Sequence, residues 1–237
     1  DTLYLVTVAD GRASGPGAWN NWKAELVRGL HERAYRWLTD RSPAPAIAPI
    51  DRSGMSHSYQ QAFGEADRVK HAALMDPPPG PTEVRLDATG DDQGEAIVVA
   101  RDRQGLLSIV AGAFTAGGIG ILSAQVFTRD DGVALEVLRT QGSMGGVVPP
   151  GAYERARALI SAELAAPGGL APQVARKLHD YRPLHALTWT APHVTVSNAA
   201  SARYTVIEVR VPDRLGLLYT ITTELAACSL DVHLARV

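Results

Sequence analysis

The sequence predicts an α+β protein built on the order β-α-β-β-α-β, the split βαβ of ferredoxin-like folds, followed by a second, partial copy of the same unit. Three observations lead there. Ala100-Arg101-Asp102-Arg103-Gln104-Gly105-Leu106-Leu107 recurs as Val211-Pro212-Asp213-Arg214-Leu215-Gly216-Leu217-Leu218. The same register then matches Ile119, Ile121, Ala124 and Val126 to Leu230, Val232, Ala235 and Val237. Each motif also follows an apolar run, at 96–100 and 206–211, and precedes a helical pattern, so each reads as strand, tight turn, helix.

Taken in order, residues 3–8 form an apolar run ending at Ala9-Asp10 before the breakers of 11–17, which predicts a buried helix that stops there. Trp19, Trp22, Leu26, Leu30, Ala34 and Trp37 recur at helical spacing, an amphipathic helix whose Trp-rich stripe reads as core. The prolines of 42–49 exclude helix and predict an extended linker. A weak helical pattern over 56–74 leads to the stiff Pro77-Pro78-Pro79-Gly80-Pro81, a short strand at 83–87 and a turn at 90–94, so 41–94 is expected to be connecting chain.

The first full module is expected over 95–199. After its motif, Leu106, Ile109, Val110, Ala113 and Phe114 make a helical stripe that Gly117-Gly118 ends. A strand over 119–128, an Asp-Gly hairpin at 129–132 and a strand over 133–137 follow. Next come a Gly/Pro loop at 141–151 and a helix over 153–166. Residues 167–191 read as a long, ill-defined insertion, and 193–197 as the module's last strand. The second module, 204–237, holds only strand, helix and the start of another strand. Its last 30 or so residues are expected to be less ordered or to pair elsewhere, because half a module leaves apolar strand surface and open edges.

Composition limits the functional classes. The 237 residues are 46% hydrophobic and 20% charged with a formal net charge of −2, and the cations are scattered, which argues against a nucleic-acid surface. No apolar run reaches the roughly 18 to 20 residues of a membrane span. The lone Cys228 has no internal disulfide partner, so a reducing, cytoplasmic setting is expected. Cys228 itself falls at core-facing spacing with Leu217, Ile221 and Leu225 and reads as a buried small hydrophobe. The histidines show no metal-ligand spacing; His179, His185 and His193 lie in the insertion or beside it and read as surface or structural.

The paired turns carry the functional signal. A strand delivers the chain to a helix N-terminus, whose backbone N–H groups and positive dipole end suit a carboxylate. Asp102 and Asp213 can cap those helices, and Gly105 and Gly216 remove the side chain that would hold a ligand off the backbone. Good turn chemistry alone would explain one such motif; two in matched contexts favour an amino-acid site.

Asp-Arg-x-Gly-Leu-Leu between a hydrophobic strand and a helix, with a later strand ending in Ala-x-Val, resembles the ACT domain, a small regulatory fold that binds amino acids between copies. Residues 5–16 with Trp19 and Trp22-Lys23 resemble the end of the HD domain in the bifunctional PII uridylyltransferase/uridylyl-removing family, whose order is nucleotidyltransferase, HD, ACT, ACT. The resemblance spans nearly the whole chain. It implies an α-helical HD remnant over 1–40, one ACT domain over 95–199 and a truncated one over 204–237. The parent enzyme would transfer UMP from UTP to a tyrosine of the PII signal protein when glutamine is low and hydrolyse it off when glutamine is high, using Mg2+ or Mn2+. Asp10 matches the HD domain's final metal-ligating Asp. The other ligands and the nucleotidyltransferase residues are absent from this sequence, so the segment itself is expected to be inactive and to bind no metal stably. Glutamine sensing would fall on Asp102, Arg103, Gln104, Gly105 and Leu106, on Asp213, Arg214, Leu215, Gly216 and Leu217, and on Asp231, which stands where the first copy has Gly120 and so favours a polar wall in the second module. Whether the two modules pair within a chain or between chains stays open. The alternative reading is a non-enzymatic ACT-repeat protein that binds an amino acid and acts through partners.

Overall fold

The computed structural model describes residues 2–13, 27, 31, 54–89, 94–181, 191–201, 204–232 and 234–236. The chain divides into two compact units, Asp1–Asp51 and Arg52–Val237. The Trp-rich stripe of 19–37, the proline linker of 42–49, the turn at 90–93 and His185 lie outside the described residues.

In the first unit, α1 (Thr2–Ala13) continues three residues past Asp10, so that aspartate sits within the helix and not at its end. Gly11 is tolerated near the C-terminus, where its cost of about 1 kcal/mol relative to Ala is easily absorbed. The helix is not buried: Leu3 is 80% exposed and Leu5 and Val6 more than half. Tyr4 stacks on His31 at 4.5 Å between ring centroids.

The second unit is organised on a five-stranded antiparallel sheet. Its strands are β1 (Val84–Ala88), β2 (Gly94–Arg101), β3 (Ile119–Thr128), β4 (Val133–Gly142) and β7 (Leu234–Arg236), in the order β1-β2-β4-β3-β7. On one face pack α4 (Leu106–Gly117), α5 (Ala152–Ala165), α6 (Leu170–Asp180) and α7 (Leu217–Ala227), closing a core of Ala96, Val98, Leu107, Val110, Phe114, Leu138, Ile160 and Val174. On the other face Met55, Tyr59 and Met75, from α2 (His57–Ala62), α3 (Glu65–Met75) and the chain before them, cover Ile97, Val99, Val133, Leu135 and Val137. Residues 96–100 are therefore buried on both sides, which is why Ala-Ile-Val-Val-Ala shows no polar alternation.

The chain before the first motif takes part in this core. Tyr59 Oη lies 3.0 Å from His71 Nδ1 inside a cluster with Phe63 and Phe127, and burial pushes the His71 imidazole below its usual pKa. Four arginines fasten the proline segment through its carbonyls: Arg85 donates to Leu74 O and Pro77 O, Arg101 to Pro79 O, Arg103 to Pro81 O, and Arg129 to Met75 O. Proline cannot contribute an N–H, so carbonyl acceptance by side-chain donors is how such a segment is held.

The expected elements from 106 to 165 are present. Gly118 (φ 77°) ends α4 in the left-handed conformation, and Gly132 (φ 79°) closes the β3–β4 hairpin. Two expectations are corrected. Residues 167–191 contain α6, whose Leu170, Val174 and Leu178 recur every four residues and join the core by packing on α4. His193–Ser197 does not close the first module: as β5 it pairs with β6 (Val206–Arg210) in a separate two-stranded sheet. The edge position beside β2 is taken instead by β1, joined to it by a short hairpin, and β5–β6 repeats that β1–β2 hairpin before the second motif. A strand connected over five residues reaches the edge with less loop-closure entropy than one arriving from beyond α6.

The two modules join within the chain through β3 and β7. Ala124 pairs with Ala235, its own counterpart in the repeat, and Ser123 and Gln125 pair with Arg236 and Leu234. That register is an internal two-fold centred on Ala124 and Ala235. It carries into the helices: a Cβ on Gly105 would lie 3.5 Å from Ala226, and one on Gly216 would lie 3.1 Å from Thr115, where Thr115 and Ala226 are counterparts. Strand β7 thus pairs outside its own module. The β5–β6 sheet keeps an open apolar face, with Val194 57% and Val196 65% exposed. Cys228 is exposed at the end of α7, contrary to the core position its spacing predicts, because the helix finishes there and the chain turns at Ser229 (φ 58°). Among the described residues no helix is long and apolar enough to cross a membrane.

Candidate functional site

The two motif turns fold alike. Gly105 (φ 79°, ψ 8°) and Gly216 (φ 79°, ψ 6°) each occupy the N-cap, a left-handed geometry that costs a residue with a Cβ roughly 1 to 2 kcal/mol. Leu106 N–H donates to Arg103 O and Leu217 N–H to Arg214 O, both at 3.1 Å. The sequence suggested that the aspartates cap the helices, but neither does: the glycine stands at the cap, and the side chains bonded to it, Ser108 Oγ and Thr220 Oγ1, donate to its carbonyl. Asp102 is held by Thr128 Oγ1, which donates to its carboxylate at 2.9 Å.

Beyond the backbone the turns diverge. In the first, Arg103 donates to Leu164 O and Pro81 O, Gln104 Nε2 donates to Ala226 O at 2.9 Å, and Leu106 is core. These side chains are engaged within the protein. In the second, Asp213, Arg214, Leu215, Gly216, Leu217 and Leu218 line a cleft of about 310 Å3. Its other walls come from the first module: Thr115 at the end of α4, Ile119, Gly120 and Ile121 at the start of β3, Gln141 and Gly142 at the end of β4, and Ser143, Met144 and Gly145 in the following loop. Tyr181, just past α6, completes it.

The cleft's walls follow from local structure. Gly142 is required because a Cβ there would meet Val147 O at 2.7 Å and Gly145 O at 3.0 Å, and its N–H donates to Gly146 O. Ser143 N–H donates to Gly118 O, which ties the loop to the end of α4. Leu178 of α6 sits over Gly216, 2.9 Å from where a Cβ would be. The first turn of α7 brings backbone N–H groups to this cleft, the arrangement that suits an anion such as a carboxylate. Asp213, Arg214, Gln141, Ser143 and Thr115 supply both signs of charge and both hydrogen-bonding roles. Such a mostly apolar cleft with a few convergent polar groups fits a zwitterion the size of an amino acid.

Asp213 to Leu217 are thus brought together in one cleft, but Asp231 lies outside it. The expected wall of the second module is replaced across the two-fold by Gly120, the counterpart of Asp231. Asp102 to Leu106 lie at the other end of α4. Thr115, Gln141, Ser143 and Tyr181 carry no signal in the sequence, since each enters the cleft through the pairing of the modules; only the Gly120–Asp231 match pointed to the region. Asp10 is exposed on α1 in the first unit, and among the described residues no group of three His, Cys, Asp or Glu side chains could hold a metal ion. Among the described residues the donor set that an HD-type metal needs is not assembled.

One buried acid lies on the helix-facing side of the sheet. Glu136 sits between Ala134 and Leu138 on β4, paired with Val98 and Val126, and is 1% exposed with neither carboxylate oxygen hydrogen-bonded. Burial first, then the negative charge of Asp102, pushes its pKa up to about 8.

Comparison with known proteins relates the chain to one group. It is 31% identical over 275 aligned residues to a bifunctional uridylyltransferase/uridylyl-removing enzyme of Azospirillum brasilense, 30% over 268 residues to one of Caulobacter vibrioides, and 31% over 263 residues to one of Phenylobacterium zucineum. Each match covers 99% of this chain and 28% of the relative, so the chain spans about a quarter of the length of the curated relatives it matches. No family model and no solved structure matches.

Proposed function

We propose that residues 84–237 form a pair of ACT-type modules that sense glutamine for a bifunctional uridylyltransferase/uridylyl-removing enzyme. The observation that carries this reading is the cleft between the second motif turn and the strand ends of the first module. It places a helix N-terminus, an Asp-Arg pair and a Gln-Ser edge around a space of amino-acid size. The similarity to the uridylyltransferase/uridylyl-removing enzymes supports the choice of glutamine. In this reading the intact enzyme moves UMP from UTP to the PII protein and removes it again, and glutamine shifts the balance towards removal.

Binding regulates only by favouring one of two arrangements. Here the cleft spans the joint between modules, so occupancy bears directly on how they sit. The far end of α4 is tied by Arg103 to the proline segment, and that segment to α3. That is a continuous route from the cleft to the chain preceding the modules. Calorimetric titration of the intact protein with L-glutamine is expected to give saturable heat, and 5 mM L-glutamine a higher Tm. Absence of both would contradict the reading.

A further inference from the structure

The internal two-fold relates a side-chain bond at the first turn to a position at the second where the sequence supplies no matching side-chain donor. At the first turn the carboxamide of Gln104 donates to Ala226 O, at the C-terminal end of α7. The two-fold maps Gln104 onto Leu215 and Ala226 onto Thr115, and the matching approaches of Gly105 to Ala226 and of Gly216 to Thr115 show that it holds at both ends of the helix pair. Thr115 O accepts from Gly118 N–H at 3.0 Å, as Ala226 O accepts from Ser229 N–H at 2.9 Å, but where Ala226 O takes Gln104 on its second lone pair, Leu215 has no donor to give the Thr115 carbonyl. Both residues line the cleft, so the position that a carboxamide fills at one turn opens into the cleft at the other.

We infer that the Thr115 main-chain carbonyl is the subsite that reads the ligand's primary carboxamide, in the role that Ala226 O plays for Gln104. The inference rests on the glutamine reading and deepens it by naming the atom that selects amide over acid. An N–H donor is satisfied at Thr115 O; a carboxylate there meets a carbonyl with no proton between them, and a site built around a hydrogen bond discriminates strongly against a ligand that lacks it. With the carboxamide at Thr115 O, the ligand's α-carboxylate is left for the backbone N–H groups opening α7, and its ammonium for Asp213. The first turn, whose counterpart position is filled by its own Gln104, takes no ligand.

The test grafts the first turn's side chain into the second. In the intact protein Leu215→Gln is expected to place the chain's own carboxamide on Thr115 O, lowering glutamine affinity more than tenfold with the Tm unchanged or raised. Calorimetry of the parent with L-glutamine and L-glutamate is independent of any variant's folding and is expected to favour glutamine by 100-fold or more. Equal binding of the two, or a folded Leu215→Gln that binds glutamine like the parent, would overturn the carboxamide subsite while leaving an amino-acid site standing. No glutamine binding by the parent overturns the glutamine reading itself. If Leu215→Gln fails to fold, the glutamine-to-glutamate ratio decides.

Discussion

The two motif turns share nearly identical backbone, yet the first is knitted into the protein and the second opens on a cleft. Five of six residues are the same in both, Asp-Arg-x-Gly-Leu-Leu, and the glycines differ by 2° in ψ. The divergence comes from what each turn meets. Arg103 finds Pro81 and Leu164 O, and Gln104 finds Ala226 O; Arg214 and Leu215 face the strand ends and Gly-rich loop of the other module. A motif therefore specifies the shape of a site, and its neighbours decide whether the site is occupied from within.

The largest effect is expected beneath the first turn. Glu136 keeps its proton in the folded state up to about pH 8 and loses it near 4.5 when unfolded. Between those values the native state binds more protons, so its stability falls as pH rises, by at most about 1.4 kcal/mol per unit, and levels off above pH 8. Glu136→Leu removes that slope, and at pH 8 it is expected to stabilise the protein by a few kcal/mol, on the order that burying an unpaired carboxylate costs. Denaturant titrations from pH 5 to 9 check this; a slope unchanged in the variant would contradict it.

Substituting the glycines measures the turns directly. Gly216→Ala combines left-handed strain with contacts to Leu178 and Thr115 at 2.9 and 3.1 Å, so a loss of about 2 to 4 kcal/mol is expected, together with weakened glutamine binding. Gly105→Ala meets nothing closer than 3.5 Å and should cost only the conformational strain, about 1 to 2 kcal/mol, with binding retained. Equal losses in urea unfolding would erase the distinction between the two turns.

The arginines give the smallest and most selective effects. Arg103→Ala removes two bonds to carbonyls and should cost about 1 to 2 kcal/mol with glutamine affinity within twofold. Arg214→Ala should leave the Tm within a degree or two and weaken glutamine binding about tenfold, the loss of one charge-assisted contact. Thermal melts and calorimetry on the same samples separate the two outcomes.

Much of the fold is legible because local rules agreed with the tertiary structure. The α4 stripe, its Gly118 stop, the Gly132 hairpin and the strand at 119–128 all stand where spacing and turn chemistry place them. The errors share one cause. Whether 193–197 closes the first sheet or opens the second hairpin depends on which edge it reaches, and strand patterns do not encode partners. Likewise Leu3, Leu5 and Val6 show helical character in sequence, but nothing in the pattern says what covers them. For the site, the turn that lines the cleft was readable and its opposite wall was not, because Thr115, Gln141 and Ser143 meet Asp213 and Arg214 only through the β3–β7 pairing.

The claim that the first turn is filled from within and the second is open has a direct measure in stoichiometry. Calorimetric titration of the intact protein with L-glutamine should give one site per chain, with the same count in Arg103→Ala and none in Gly216→Val. Two equivalent sites per chain, or one site that survives Gly216→Val and vanishes in Arg103→Ala, would contradict it.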